Sequence, residues 1–212
     1  MITITEISPQ QKGRLLNVFA DGKFSFSADE GFIADEDIYV GMKLDEKQMA
    51  ALLKAAGIRK AVRASLSLLE RRDYSVKELT KKLVEKGHGE EEAAAAAERA
   101  EAAGYVNDRR YGERLVERRK NRVGRKQLAY ELAKAGISAD EAKDIISETY
   151  DDETDGVETV LREMNRRLKG SVPADRAAQR KLFNSFISKG FEFETVKAAF
   201  EKYCENEDRS VD

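Results

Sequence analysis

The chain has 212 residues, 37% charged and 41% hydrophobic, with a formal net charge of −2. On the prior of about 150 residues per domain, that length holds one or two domains with a real core, and the near-neutral balance excludes a uniformly basic nucleic-acid binder. One cysteine, Cys204, excludes an internal disulfide, and no stretch reaches the roughly 18 apolar residues of a membrane span, so a cytoplasmic, reducing location is expected with no membrane partner.

Residues 1–44 read as a small β-rich module. Ile2, Ile4 and Ile7 sit among polar residues, and Leu16, Val18, Phe24 and Phe26 alternate across Asp21-Gly22. An Asp-Gly pair tolerates the positive φ angles of a tight hairpin, so two paired strands are expected there. Asp35 to Tyr39 fits a short helix or a third strand, and periodicity does not separate them. Asp45 then caps a connecting helix over 45–57 that carries Met49, Leu52 and Leu53 and closes at Gly57.

Everything after Gly57 reads as helical, in three similar units. Ser75-Val76-Lys77-Glu78-Leu79 runs through Leu83 to Gly87; Gly124 runs through Leu128 and Leu132 to Gly136; Ala178 runs through Leu182 and Phe186 to Gly190. Both apolar anchors and the closing glycine recur first after 49 residues and then after 54. A fixed spacing of this length marks a stacked helical array, which binds along extended partners and encloses no reaction chamber. The expected repeats are residues 58–105, 106–152 and 153–206, with a tail at 207–212.

Within them, Ser75 with Glu78 and Ser138 with Glu141 have capping-box spacing. Glu90-Glu91-Glu92 suits the positive end of a helix. Ala93, Ala96 and Ala97 align with Ala142, Ile145 and Ile146 and with Val196, Ala199 and Phe200. The polar run Asp151-Asp152-Glu153-Thr154-Asp155 looks like a solvated hinge before the third repeat.

No catalytic constellation is found. His88, the only histidine, reads as an exposed loop residue, and a metal site needs three or four convergent ligands. Cys204 has no neighbouring histidine to activate it and reads as half-buried filler on the last helix. Gly124-Arg125-Lys126 lacks the paired glycines and Lys-Ser/Thr of a phosphate-binding loop. No enzyme activity, metal or cofactor is expected.

Charge is unevenly spread. From Arg109 to Lys126 nine Lys/Arg face two Glu, a balance of +7; from Asp140 to Glu163 ten Asp/Glu face two cations, a balance of −8. Arg110, Arg114 and Arg118 fall on one helical face. Arg109, Arg119, Lys120, Arg122, Arg125 and Lys126 complete the stripe, and Arg71, Arg72, Lys77, Lys81 and Lys82 hold the corresponding corner of the first repeat. These are the candidate partner or DNA contacts, since guanidinium groups clamp phosphates and carboxylates. The blander reading is that the basic and acidic segments attract each other.

The run Ser75-x-x-Glu78-Leu79-x-x-Lys82-Leu83-x-x-Lys86-Gly87, then Gly104-Tyr105-Val106-Asn107-Asp108-x-x-Tyr111, then Gly124-x-x-x-Leu128-x-x-Glu131-Leu132-x-x-x-Gly136-Ile137, resembles the RecX family of bacterial regulatory proteins. Arg180-Lys181-Leu182-Phe183 to Lys189-Gly190-Phe191 resembles the family's last repeat, and the amino-terminal module looks like an extension carried by some members. The resemblance implies a mainly α fold: an elongated, curved array of three tandem three-helix repeats with a small N-terminal β-rich module. It implies binding to the RecA recombinase filament on single-stranded DNA and inhibition of ATP hydrolysis and strand exchange. It offers no catalytic residues to carry over. A monomer is expected, with weak direct DNA binding because the chain is acidic overall. The alternative is a helical nucleic-acid-binding module acting without RecA.

Overall fold

The computed structural model describes residues 1–11, 15–173 and 175–208. They form two compact units, the first over residues 1–107 and the second from residue 108 onward.

The first unit opens with an antiparallel sheet of β1 (Ile2–Pro9), β2 (Leu15–Ala20), β3 (Lys23–Asp29) and the two-residue β4 (Lys43–Leu44), in the order β3-β2-β1-β4. The expected hairpin is present: Asp21 (φ 47°) and Gly22 (φ 76°) both take the left-handed conformation that matches strand twist. Val18 pairs with Phe26, and a bulge then brings Phe19 opposite Phe24. One face of the sheet buries Ile4, Val18, Phe26 and Ala28. The undecided stretch Asp35–Tyr39 is neither a helix of its own nor a strand: α1 (Glu30–Asp35), capped by Asp29, ends at the first residue of that stretch, and a turn follows in which the Ile38 amide donates to the Ile33 carbonyl at 2.9 Å.

The helix expected to close at Gly57 does not close. α2 runs unbroken from Glu46 to Leu69. Its start is a full capping box, with Asp45 accepting from the Gln48 amide at 2.7 Å and Gln48 accepting from the Asp45 amide at 2.9 Å. A mid-helix glycine costs about 1 kcal/mol against alanine, and burial on both sides of Gly57 outweighs it. Met49, Leu52 and Ala56 complete the sheet's core, while Ala61 and Leu68 belong to the next one. The connecting helix and the first helix of repeat 1 are therefore one rod. Gly57 allows close approach instead, since a Cβ there would stand 3.0 Å from the Glu92 side chain.

Three-helix repeats follow, each with its own core. The second half of α2, α3 (Val76–Glu85) and α4 (Glu90–Ala102) enclose Leu79, Leu83 and four alanines of α4. α5 (Asp108–Arg119), α6 (Arg125–Ala135) and α7 (Ala139–Thr149) enclose Leu128, Leu132, Ile145 and Ile146. α8 (Val157–Leu168), α9 (Arg176–Ile187) and α10 (Phe193–Asp208) enclose Met164, Phe186, Phe191 and Tyr203. The closing glycines Gly87, Gly136 and Gly190 have φ of 91°, 98° and 88°, the left-handed helix stop. In the third repeat the first anchor shifts by one residue: Phe183 is buried and Leu182 only half-buried. The expected tail lies outside the described residues from residue 209, and α10 reaches into its first two positions.

Ser75 and Ser138 cap α3 and α7 as expected, accepting from the Glu78 and Glu141 amides. The Glu78 carboxylate, however, accepts from Arg72 at 3.0 Å. The acidic run before the third repeat is not a bare hinge but a π-helical turn, Asp152–Gly156, leading directly into α8. His88 is half-buried, and burial lowers its pKa, helped by nearby Lys60.

Repeats 2 and 3 join through backbone. α6 begins at Gly124 without a side-chain cap. Its orphan amides find carbonyls across the joint: Gly124 donates to Lys189 and Lys126 to Gly190, both at 3.1 Å. A Cβ on Gly124 would stand 2.4 Å from the Gly190 carbonyl oxygen, so no other residue fits this approach.

Candidate interaction surface

α5 is held by few side chains. Tyr111, Leu115 and Val116 point inward, and Gly112 lets the helix approach so closely that a Cβ there would stand 2.7 Å from the Ile145 δ-methyl. The opposite face exposes Arg110, Arg114, Glu117 and Arg118.

Much of the expected stripe is already engaged. Arg109 bonds Glu148 at 2.6 Å and lies 3.2 Å from Glu113. Arg119 clamps Glu131 with two bonds, 3.0 and 2.7 Å. Burial pushes the Glu131 carboxyl up, but the Arg119 and Gln127 bonds outweigh it and hold its pKa below the ordinary value. Lys120 is 3.1 Å from Glu117 and 3.8 Å from Asp155. Arg125 bonds Asp152 at 2.5 Å and lies over the Tyr150 ring, and Lys126 is 3.0 Å from Glu192. Glu148, Asp152 and Asp155 all come from the acidic segment, so attraction between the two segments accounts for part of the charge pattern. Tyr150 is buried beside Asp152; burial first, then that charge, pushes its phenol up, and it stays neutral.

Arg118 and Arg122 differ, being exposed with no ion pair among the described residues. In the first unit Arg72 is spent on structure, stacking 3.7 Å above the Tyr74 ring and bonding Glu78 at 3.0 Å, and Lys82 pairs with Glu85 at 2.9 Å. Arg71, Lys77 and Lys81 are exposed there and make no ion pair among the described residues. Two cations outside the expected set, Arg162 and Lys189, join Arg122 around a cleft of about 260 Å³ in the second unit. Arg162 is hard to single out from sequence because it lies within an acidic run.

Among the described residues no group of His, Cys, Asp and Glu is arranged to hold a metal ion, and no helix is long and apolar enough to cross a membrane. The model of the RecX first three-helix domain matches residues 61–99, the span from mid-α2 to α4. Similarity extends over nearly the whole chain to the regulatory protein RecX of Clostridium perfringens strain 13, 27% identical over 207 residues and 97% of each chain. The regulatory protein RecX of Caldanaerobacter subterraneus subsp. tengcongensis is 29% identical, covering 92% of this chain and 97% of that one. The chain is thus similar, over nearly its whole length, to proteins named regulatory protein RecX.

Solved RecX structures share the fold. A crystal structure of regulatory protein RecX superposes with a TM-score of 0.70 over 95% of this chain and all of that one, at 22% identity. RecX from Lactobacillus salivarius gives 0.59 over 70% of this chain and 97% of that one, at 24% identity.

Proposed function

We propose that this chain binds the RecA recombinase and its nucleoprotein filament and inhibits ATP hydrolysis and strand exchange, so modulating recombination, DNA repair and the SOS response. The observation that carries this reading is similarity over nearly the full length to proteins named regulatory protein RecX. The helical repeats support it: several weak contacts along one polymer add up to firm attachment, because each contact raises the effective concentration of the next. Arg118, Arg122 and the exposed face with Arg110 and Arg114 are the proposed contacts in the second unit, and Arg71, Lys77 and Lys81 in the first. Contacts that bridge successive recombinase subunits oppose the rearrangements accompanying nucleotide turnover. The protein acts as a cytoplasmic monomer and a regulator with no reaction of its own, and single-stranded DNA reaches it mainly through the filament. The test is single-stranded-DNA-dependent ATP hydrolysis by RecA in the presence of this chain. Dose-dependent inhibition is expected, and full activity at a several-fold excess over RecA overturns the reading.

A further inference from the structure

We infer that the cleft between repeats 2 and 3 is a phosphate site built by Arg122, Arg162 and Lys189. It lies where the turn after α5 meets α8 and the α9–α10 turn, and its volume is about 260 Å³. Buried Phe186 and Phe191 form the apolar wall, and the three cations converge from three separate segments.

The donors are available. Arg122 is exposed and makes no ion pair among the described residues. Arg162 uses only its Nη2, which holds the Asn121 carbonyl at 3.1 Å and lies 3.5 Å from the Thr159 hydroxyl; that fixes the guanidinium and leaves its other N–H groups open. Lys189 is 3.8 Å from Glu163. Glu163 is the one carboxylate lining the cleft, and it is already satisfied, taking bonds of 2.8 and 2.7 Å from Arg166 and 2.8 Å from Arg167. Positive charge is therefore in excess, with three lining cations against one carboxylate that two further arginines neutralise.

The number of cations selects the ligand. The Arg119–Glu131 clamp shows how one planar guanidinium matches both oxygens of one carboxylate with two bonds. Three convergent cations suit a tetrahedral anion with oxygens pointing in several directions. At about 260 Å³ the cleft has room for a phosphate group. That phosphate comes from a nucleic-acid backbone or from a free phosphate compound.

Binding is measured on the full chain without RecA, so the result stands apart from the regulatory reading. Anisotropy of a labelled oligo-dT strand is followed at low salt, with inorganic phosphate, ATP, unlabelled oligo-dT and polyglutamate as competitors. Arg122→Glu and Arg162→Ala are each expected to weaken binding roughly tenfold and to lower the salt slope by about one. Glu163→Gln is expected to tighten it. Circular dichroism checks the fold of each variant, and Arg122→Glu, which removes an exposed side chain without an ion pair, keeps the test valid if Arg162→Ala unfolds. Competition by phosphate or ATP assigns a free source, and competition by oligonucleotides alone assigns the backbone; both uphold a phosphate site. No binding by the parent chain, equal binding by Arg122→Glu, or equally good competition by polyglutamate overturns it.

Discussion

Gly124 and Gly190 meet backbone to backbone, and each would collide with the other's segment if it carried a side chain. A Cβ on Gly190 would stand 2.4 Å from the Gln127 amide nitrogen, in a residue already at φ 88°. Gly190→Ala thus adds a clash to the usual left-handed strain, and a loss of about 2–4 kcal/mol is expected in urea titration. Gly87, its counterpart in repeat 1, has φ 91°, but a methyl group there would meet nothing within 4 Å. Gly87→Ala should cost only about 1–2 kcal/mol.

Leu128 and its third-repeat counterpart Leu182 should also part ways. Leu128 is fully buried, and truncation to alanine should cost about 2–5 kcal/mol. Leu182 is half-buried because Phe183 has taken the inward position, so Leu182→Ala should cost clearly less in the same titration.

Arg118 and Arg119 are neighbours with different tasks. Arg119→Glu sets a carboxylate against Glu131 and should destabilise by roughly 1–2 kcal/mol. Arg118→Glu should leave the melting temperature nearly unchanged, a surface change being worth about 0.5 kcal/mol or less, while weakening inhibition of RecA. An unchanged inhibition curve for Arg118→Glu would place the contact elsewhere.

Glu163 makes stability fall in acid. Bonds from Arg166 first, and from Arg167, outweigh burial and hold its pKa at about 2. A carboxylate whose folded pKa lies below its unfolded value, about 4.3, binds protons more readily when unfolded. Its contribution is complete above the unfolded value and disappears as pH falls toward 2. Melting curves between pH 6 and pH 2.5 should show a shallower decline for Glu163→Gln than for the parent.

The helical repeats could be read from the sequence because their markers are local. A glycine that must turn left and two apolar anchors four residues apart recur at 49 and then 54 residues, and the buried faces of α4 and α7 fall at the aligned positions, as do Val196 and Ala199 of α10, with Phe200 half-buried. What escaped depends on distant partners. Gly57 resembles a helix stop until the cores on its two sides are known. Arg125 resembles a free cation until Asp152, 27 residues on, closes against it. Arg162 counted as a minor exception in an acidic run, yet its Nη2 holds the Asn121 carbonyl, 41 residues earlier in the chain.

The unbroken course of α2 makes the amino-terminal sheet more than a detachable ornament. Met49, Leu52 and Ala56 face it, while Ala61 and Leu68 face the first repeat. A fragment that drops the sheet but keeps residues 46–57 would lay a bare apolar ridge in water. One that starts at residue 58 would open in mid-turn, with four amides and no Asp45 to receive any of them. Pruning this chain therefore means redesigning the helix that remains.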